Sequence, residues 1–141
     1  MKWIPILTEA DAHALTEKFG YFHDGCLREF YLWTETSVAA DLRMTCPGHM
    51  DSHIKFLFQR QFPNPSAIEL HFDEVIGFHY APSPENYDSI IFEAKITQTN
   101  GLFYWKEEGF DKSWVCGKKL KWRDASEWMG NQLRLGVDGV N

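Results

Sequence analysis

Cysteine is scarce in this sequence. There are three, Cys26, Cys46 and Cys116, widely spaced and with no CxxC pair. An odd number at such spacing does not build a disulfide framework, and it lacks the paired thiolates of a structural zinc site. Long apolar runs are missing too. No stretch approaches the roughly 18 apolar residues of a membrane-spanning helix. The first residues, MKWIPILTEADAHALTEKFG, hold no long apolar run ahead of their acidic groups, unlike a signal peptide. A reducing cytoplasm is the expected setting. Reaction motifs are also absent: there is no GxSxG nucleophile elbow, no phosphate-cradling glycine loop and no HExxH pair.

Positive charge is in short supply over most of the chain. The net charge is −6, but residues 1–111 carry −9 and residues 112–141 carry +3. An acidic body argues against general nucleic-acid binding, which needs cations to displace counterions from phosphates. It suits a basic protein partner, and it also serves solubility. What the sequence has in abundance is aromatic side chains: eleven Phe, six Trp and five Tyr in 141 residues. Each large ring buries roughly 150–250 Å², so a core can form without disulfides or metal. The length suits one domain spanning residues 1–141.

Along the chain, Thr8 with Asp11 reads as a capping box. Apolar spacing then predicts a helix over about 9–19, stopped by Gly20. A β-rich core follows over about 25–123. Phe30 and Leu32 oppose Tyr31 and Trp33 on a first strand. Ile54, Phe56 and Phe58 alternate with polar residues over 53–62, and Ile68, Leu70 and Phe72 alternate with Glu69, His71 and Asp73. Val75 to Tyr80 and 88–98 read as further strands, the second with Ile90, Phe92, Ala94 and Ile96 in phase. Asn100-Gly101 is the strongest local signal, because a type I′ hairpin needs φ > 0 at both central residues. The last strand covers 113–123, with a bulge expected at Gly117. A short helix capped by Asp124 and a tail complete the chain over 124–141. The expected fold is α+β, predominantly antiparallel β: one N-terminal helix packed on a curled sheet, as a sandwich or open barrel. Its expected core is Phe30, Leu32, Phe56, Phe58, Ile68, Leu70, Phe72, Ile90, Phe92, Ile96 and Trp122.

Candidate chemistry is sparse. His49, Asp51 and His53, with Cys46, place metal-ligand types close together, although Pro47-Gly48 argues for a solvated loop. His23-Asp24 is a second pair of ligand types, in a tight turn with Gly25. His71 and His79 are expected on neighbouring strands of a hairpin, where pairing on an inner face would form a site, but the phase of Ile68, Leu70 and Phe72 puts His71 on the wet face. The basic run Lys112, Lys118, Lys119, Lys121, Arg123, interleaved with Trp114 and Trp122, reads as an edge strand protected by lysines. Tyr31, Trp33, Phe103 and Trp105 lie on strands apolar on both faces. They are the candidates for contact with a partner.

Several segments also carry a resemblance: FHDGCL after the first helix, FQRQFPNPSAIEL in the middle, PENYD before a strand, and LFYWKEEG followed by SWVCGKKLKWR. Over about residues 19–123 they resemble a set of small uncharacterised bacterial proteins. Such β-rich, acidic, Trp-containing proteins look like immunity proteins of polymorphic toxin systems, which bind and neutralise a cognate toxin. The resemblance implies binding rather than catalysis and transfers no site residue. The leading expectation is therefore a non-enzymatic protein-binding, immunity-like domain with no cofactor. The alternatives are a small metal-dependent hydrolase using His23, Asp24, His49, Asp51 or His53, and a small-ligand-binding β-barrel.

Overall fold

Thr8 starts the one α-helix among the described residues, as its sequence signature predicts. Its hydroxyl accepts from Asp11 N, and Asp11 Oδ2 accepts in return from Thr8 N, closing the capping box. The computed structural model describes residues 2–134. Within it, α1 spans Glu9–Lys18 and ends at Phe19, with Gly20 in the left-handed region (φ +61°) where a side chain would be strained. The helix follows a short strand, β1 (Ile4–Ile6). A 3₁₀ turn (Gly20–Phe22) leads to β2 (Cys26–Thr34). The remaining strands are β3 (Ser37–Val38), β4 (Met44–Thr45), β5 (Ser52–Gln59), β6 (Ala67–His79), β7 (Ala94–Thr99), β8 (Leu102–Glu107) and β9 (Trp114–Asp124).

Seven strands form one antiparallel sheet in the order β2-β5-β6-β9-β8-β7, with β1 also paired to β9. The sheet does not close into a barrel. β3 and β4 make a separate two-stranded hairpin. β9 pairs along one edge with β6. Its other edge is divided between β1, at Leu120 to Trp122, and β8, at Trp114 to Gly117. Asn100 and Gly101 turn the β7–β8 hairpin with φ of 53° and 77°, the positive values that their dipeptide predicts.

One face of the sheet packs against α1. Ile54, Phe56 and Phe58, Ile68, Leu70 and Phe72, Phe103 and Trp105, and Leu120 and Trp122 join Ala12, Leu15, Phe19 and Phe22 in a single buried cluster. The helix also finishes the sheet. β7 is an edge strand, and an exposed row of N–H groups invites pairing with another chain. Here Thr16 Oγ1 accepts from Ile96 N at 3.0 Å and Glu9 Oε2 accepts from Gln98 N at 2.5 Å. The faces of α1 differ from the expected spacing: Ala12, Leu15 and Thr16 are buried, whereas Ala10 and Ala14 are exposed.

Several expectations are corrected. The strand predicted over 88–98 begins only at Ala94. Ile91 N donates to Gly25 O, and Asp24 N donates to Ile91 O, so the chain is tied crosswise to the turn before β2. Ile91 enters the core, while Ile90 and Phe92 stay largely exposed. Val75–Tyr80 is not a separate strand but continues β6, with Glu74 at φ +50° and a register shift between Val75 and Gly77. The irregularity expected at Gly117 thus lies on the partner strand. Gly117 is needed for close approach instead: a Cβ there would meet Asp73 O at 3.0 Å. Third, Asp124 caps a turn rather than a helix, its Oδ1 accepting from Ser126 N. Leu32, also expected in the core, is 41% exposed near the end of edge strand β2. The tail GVDGVN lies outside the described residues.

The corrected core makes a prediction. Phe56 contacts the rings of Phe30, Phe58, Phe72 and Trp105, so Phe56→Ala should cost about 3–5 kcal/mol in urea unfolding. Phe92→Ala should change stability by less than about 0.5 kcal/mol, as for an exposed position.

Candidate functional site

The face of the sheet turned away from α1 is where the polar residues of β5, β6 and β9 gather. Glu69 lies at its centre with no solvent exposure. A buried carboxylate is costly unless paired and hydrogen-bonded. Its register partner Arg123 donates from Nε to Glu69 Oε1 at 2.8 Å, and Arg134 Nη2 binds Oε2. Arg134 arrives on the segment after β9, which lies over this face. Arg134 N also donates to Glu29, Gln59 Nε2 donates to Trp128 O, and Trp128 packs on Leu57, Ala67 and Ala125. The arginines are sandwiched by rings. The Arg123 guanidinium is 4.4 Å from the centre of Trp3 and 4.8 Å from that of Trp128, and Arg134 is 4.2 Å from Trp128.

Beside this layer stands a cluster of two histidines and an aspartate. Alternation on β5 and β6 sends His53, His71 and Asp73 to the same side as Glu69. His53 Nδ1 lies 2.5 Å from Asp73 Oδ1, and His53 Nε2 lies 2.7 Å from Glu35 Oε2. His71 Nε2 is 2.9 Å from the same Asp73 oxygen but out of line for a hydrogen bond, and His71 Nδ1 has no hydrogen-bond partner either. Rings enclose the group. Trp33 stacks on His53 with centres 5.0 Å apart and planes 19° from parallel, and Trp3 meets His71 edge-on at 5.5 Å. The surroundings separate the two imidazoles electrostatically. Burial pushes His71 down to about 4; Asp73 opposes this only partly, and Lys121, Lys55 and His53 add to it. Burial also acts to lower His53, but its bonds to Asp73 and Glu35 outweigh that and hold it above the ordinary histidine value. Asp73 is itself buried enough to rise, yet the His53 hydrogen bond leaves it below the ordinary carboxylate value.

Of the metal-type residues singled out in the sequence, the structure brings only His53 into this group. His49 Nε2 is 3.4 Å from Glu35 Oε1 at an exposed position. Asp51 is engaged in its own loop, accepting from Thr36 N and Oγ1. His23 bonds Phe92 O and Asp24 at the far end of β2. Sequence reasoning missed His71 and Asp73 as partners of His53. The signal was present in their spacing of two along a strand, but it becomes a cluster only through the β5–β6 register, which pairs Lys55 with His71 and Ile54 with Phe72. His71 is on the predicted face, yet buried there by the two tryptophans. His79 falls on the same strand as His71, not on a neighbouring one.

The partner candidates divide. Tyr31 and Trp33 stack on each other on the outer face, Tyr31 being 38% exposed. Phe103 and Trp105 are core residues, at 5% and 1% exposure, and present no surface. Both belong to the buried cluster with Phe22, Phe56 and Phe58, on the inner face of β8. More exposed rings lie on the loops, and a group of them gathers where β6 and β8 end. Tyr80, Ile90 and Phe110 line a groove of about 440 Å³ together with Asp88, Glu107 and Asp111. Phe110 is 97% exposed, and Tyr87 on the neighbouring loop 77%. Lys112 is the one cation lining this groove, and Trp105 reaches its floor, where the indole Nε1 has no hydrogen-bond partner.

Removing the buried carboxylate tests the outer layer. Glu69→Ala leaves Arg123 and Arg134 facing each other without their counter-charge and should cost about 3–5 kcal/mol, measured by chemical denaturation. No protein-family model, curated protein or solved structure was found to match this chain, so the functional reading rests on the geometry described above.

Proposed function

We propose that this chain is a non-enzymatic protein-binding domain, of the immunity-protein kind, acting in a bacterial cytoplasm on a basic partner. The observation that carries the reading is the groove at the loop end. Large apolar side chains left in water, rimmed by like charges, are what interaction sites present, whereas solvated loops normally carry small polar residues. Phe110 stands almost wholly in solvent within a rim of Asp88, Glu107 and Asp111. Burying such a ring stabilises a complex by roughly 1.5–3 kcal/mol, and the carboxylates favour approach of a positive surface. The acidic balance of residues 1–111 extends the same field. All three cysteines are free thiols, which agrees with a reducing compartment, and among the described residues no helix is long and apolar enough to cross a membrane.

The barrel reading has less support. The space a ligand-binding barrel keeps open is filled by Phe22, Phe56, Phe58 and Trp105, and the sheet stays open. The hydrolase reading drew on His23, Asp24, His49, Asp51 and His53, which do not converge on one point.

Affinity capture from extracts of the source organism, with wild-type, Phe110→Ala and Asp111→Lys chains as bait, tests the proposal. Wild type should retain a basic protein, less of it as salt rises. Phe110→Ala should retain at least about tenfold less, in line with loss of a hot-spot ring, while unfolding at the wild-type denaturant concentration. Asp111→Lys should slow association. Capture that is equal for all three baits, or absent with wild type, would refute the reading.

A further inference from the structure

The His53–His71–Asp73 cluster shares none of its residues with the loop-end groove, and the binding reading makes no use of it. We propose that it is a site for a divalent transition-metal ion of the zinc type, bound through His53 Nδ1, His71 Nε2 and an Asp73 carboxylate oxygen. These three residues offer one ligand atom each, all within 4.8 Å of one another. Around a tetrahedral ion with bonds of roughly 2.0–2.2 Å, ligand atoms stand about 3.3 Å apart. The contacts of 2.5 and 2.9 Å to Asp73 Oδ1 therefore need to open by roughly 0.4–0.8 Å to admit it.

Three independent features favour an ion over a simple hydrogen-bonded group. First, His71 has a side chain only 10% exposed, and neither ring nitrogen has a hydrogen-bond partner. A buried imidazole left in that condition forfeits what water would give it. A metal at Nε2 supplies the missing partner. Second, the ring of His53 is used at both ends. Its Nε2 is 2.7 Å from Glu35, so Nδ1 is the nitrogen left to face Asp73 and His71. A ligating histidine whose other N–H donates to a carboxylate is the usual arrangement around protein-bound metals, because it fixes the tautomer and the ring. Third, the ligands are held rigidly. His53 and His71 lie on adjacent central strands, with Trp33 stacked on one ring and Trp3 set edge-on to the other.

The donor set selects the ion class. Two imidazoles with one carboxylate suit zinc and its first-row neighbours, whereas calcium and magnesium favour all-oxygen sites. Asp73 and Glu35 supply the charge to balance a dication. Lys55 and Lys121, the nearest cations, are directed onto the faces of Trp3 and Trp33 at 5.2–5.9 Å. Three protein ligands leave a coordination position open on the part-exposed side of His53 and Asp73.

The test is titration of the chelator-treated full chain with Zn²⁺ and with Co²⁺. One ion per chain is expected, with a rising unfolding temperature as Zn²⁺ increases and a Co²⁺ visible spectrum lacking a thiolate charge-transfer band. His53→Gln and Asp73→Asn should lower Zn²⁺ affinity at least tenfold. Glu35→Gln, which meets His53 at its far nitrogen and is not itself a ligand, should lower it about 10–100-fold. His13→Ala and His23→Ala, which are paired elsewhere, should leave it unchanged. A readout on wild type alone guards against variants that misfold: in long-range ¹H–¹⁵N spectra, Zn²⁺ should move His53 Nδ1 and His71 Nε2 resonances and no other histidine's. Absence of stoichiometric binding, binding unaltered in His53→Gln and Asp73→Asn, or shifts confined to other histidines would overturn the proposal.

Discussion

A carboxylate with no access to water lies in the middle of the sheet, and the outer face is organised around balancing its charge. Glu69 cannot be left unpaired, and no single partner satisfies both of its oxygens. Arg123 comes to it by register, from directly across the β6–β9 ladder. Arg134 comes by folding the segment beyond β9 back over the sheet. Each guanidinium then needs a face to stack on, and Trp3 and Trp128 provide them. A single buried charge therefore recruits residues from both ends of the described chain. The layer formed in this way is the wall against which His71 is buried.

The two faces of the sheet solve different problems. The inner face is a conventional ring core, in which Phe56, Phe58, Phe22 and Trp105 meet edge-to-face or tilted. The outer face carries fewer rings, with Trp3, Trp33 and Trp128 half-buried, and mixes them with charge, so its cohesion is electrostatic as well as apolar. Such a face is specific in shape and demanding in registration, which is a suitable setting for two imidazoles that must be aimed at one point. The loop end answers to neither constraint, and there apolar rings are left in solvent.

Much of this architecture was legible in the sequence. The capping box at Thr8, the turn at Asn100-Gly101 and the phases of Phe56, Leu70 and Phe72 are local properties, set by neighbouring residues and by alternation. What was not legible depended on residues far apart in sequence. Ile90 and Phe92 alternate convincingly, yet Ile91 is the buried one, because backbone bonds to Asp24 and Gly25 override the local period. Phe103 and Trp105 looked like surface rings because nothing local reveals that they join the buried cluster with Phe22, Phe56 and Phe58. His53 was visible as a chemical type. Its partners His71 and Asp73 became visible only when strand register brought them opposite.

The pairing of β1 has a consequence for how the chain is made. Ile4, Pro5 and Ile6 find their partners in Trp122, Lys121 and Leu120, at the far end of the sheet-forming sequence. Synthesis is vectorial, so β1 has no strand to pair with until β9 has left the ribosome. Until then Trp3 and Ile6 remain uncommitted and β9's edge is unfilled. Contacts of such long sequence separation form slowly and favour late, all-at-once closure over piecewise assembly. The apolar side chains of β1 thus stay unpaired while everything between it and β9 is made, and that is the interval in which a chaperone would find them.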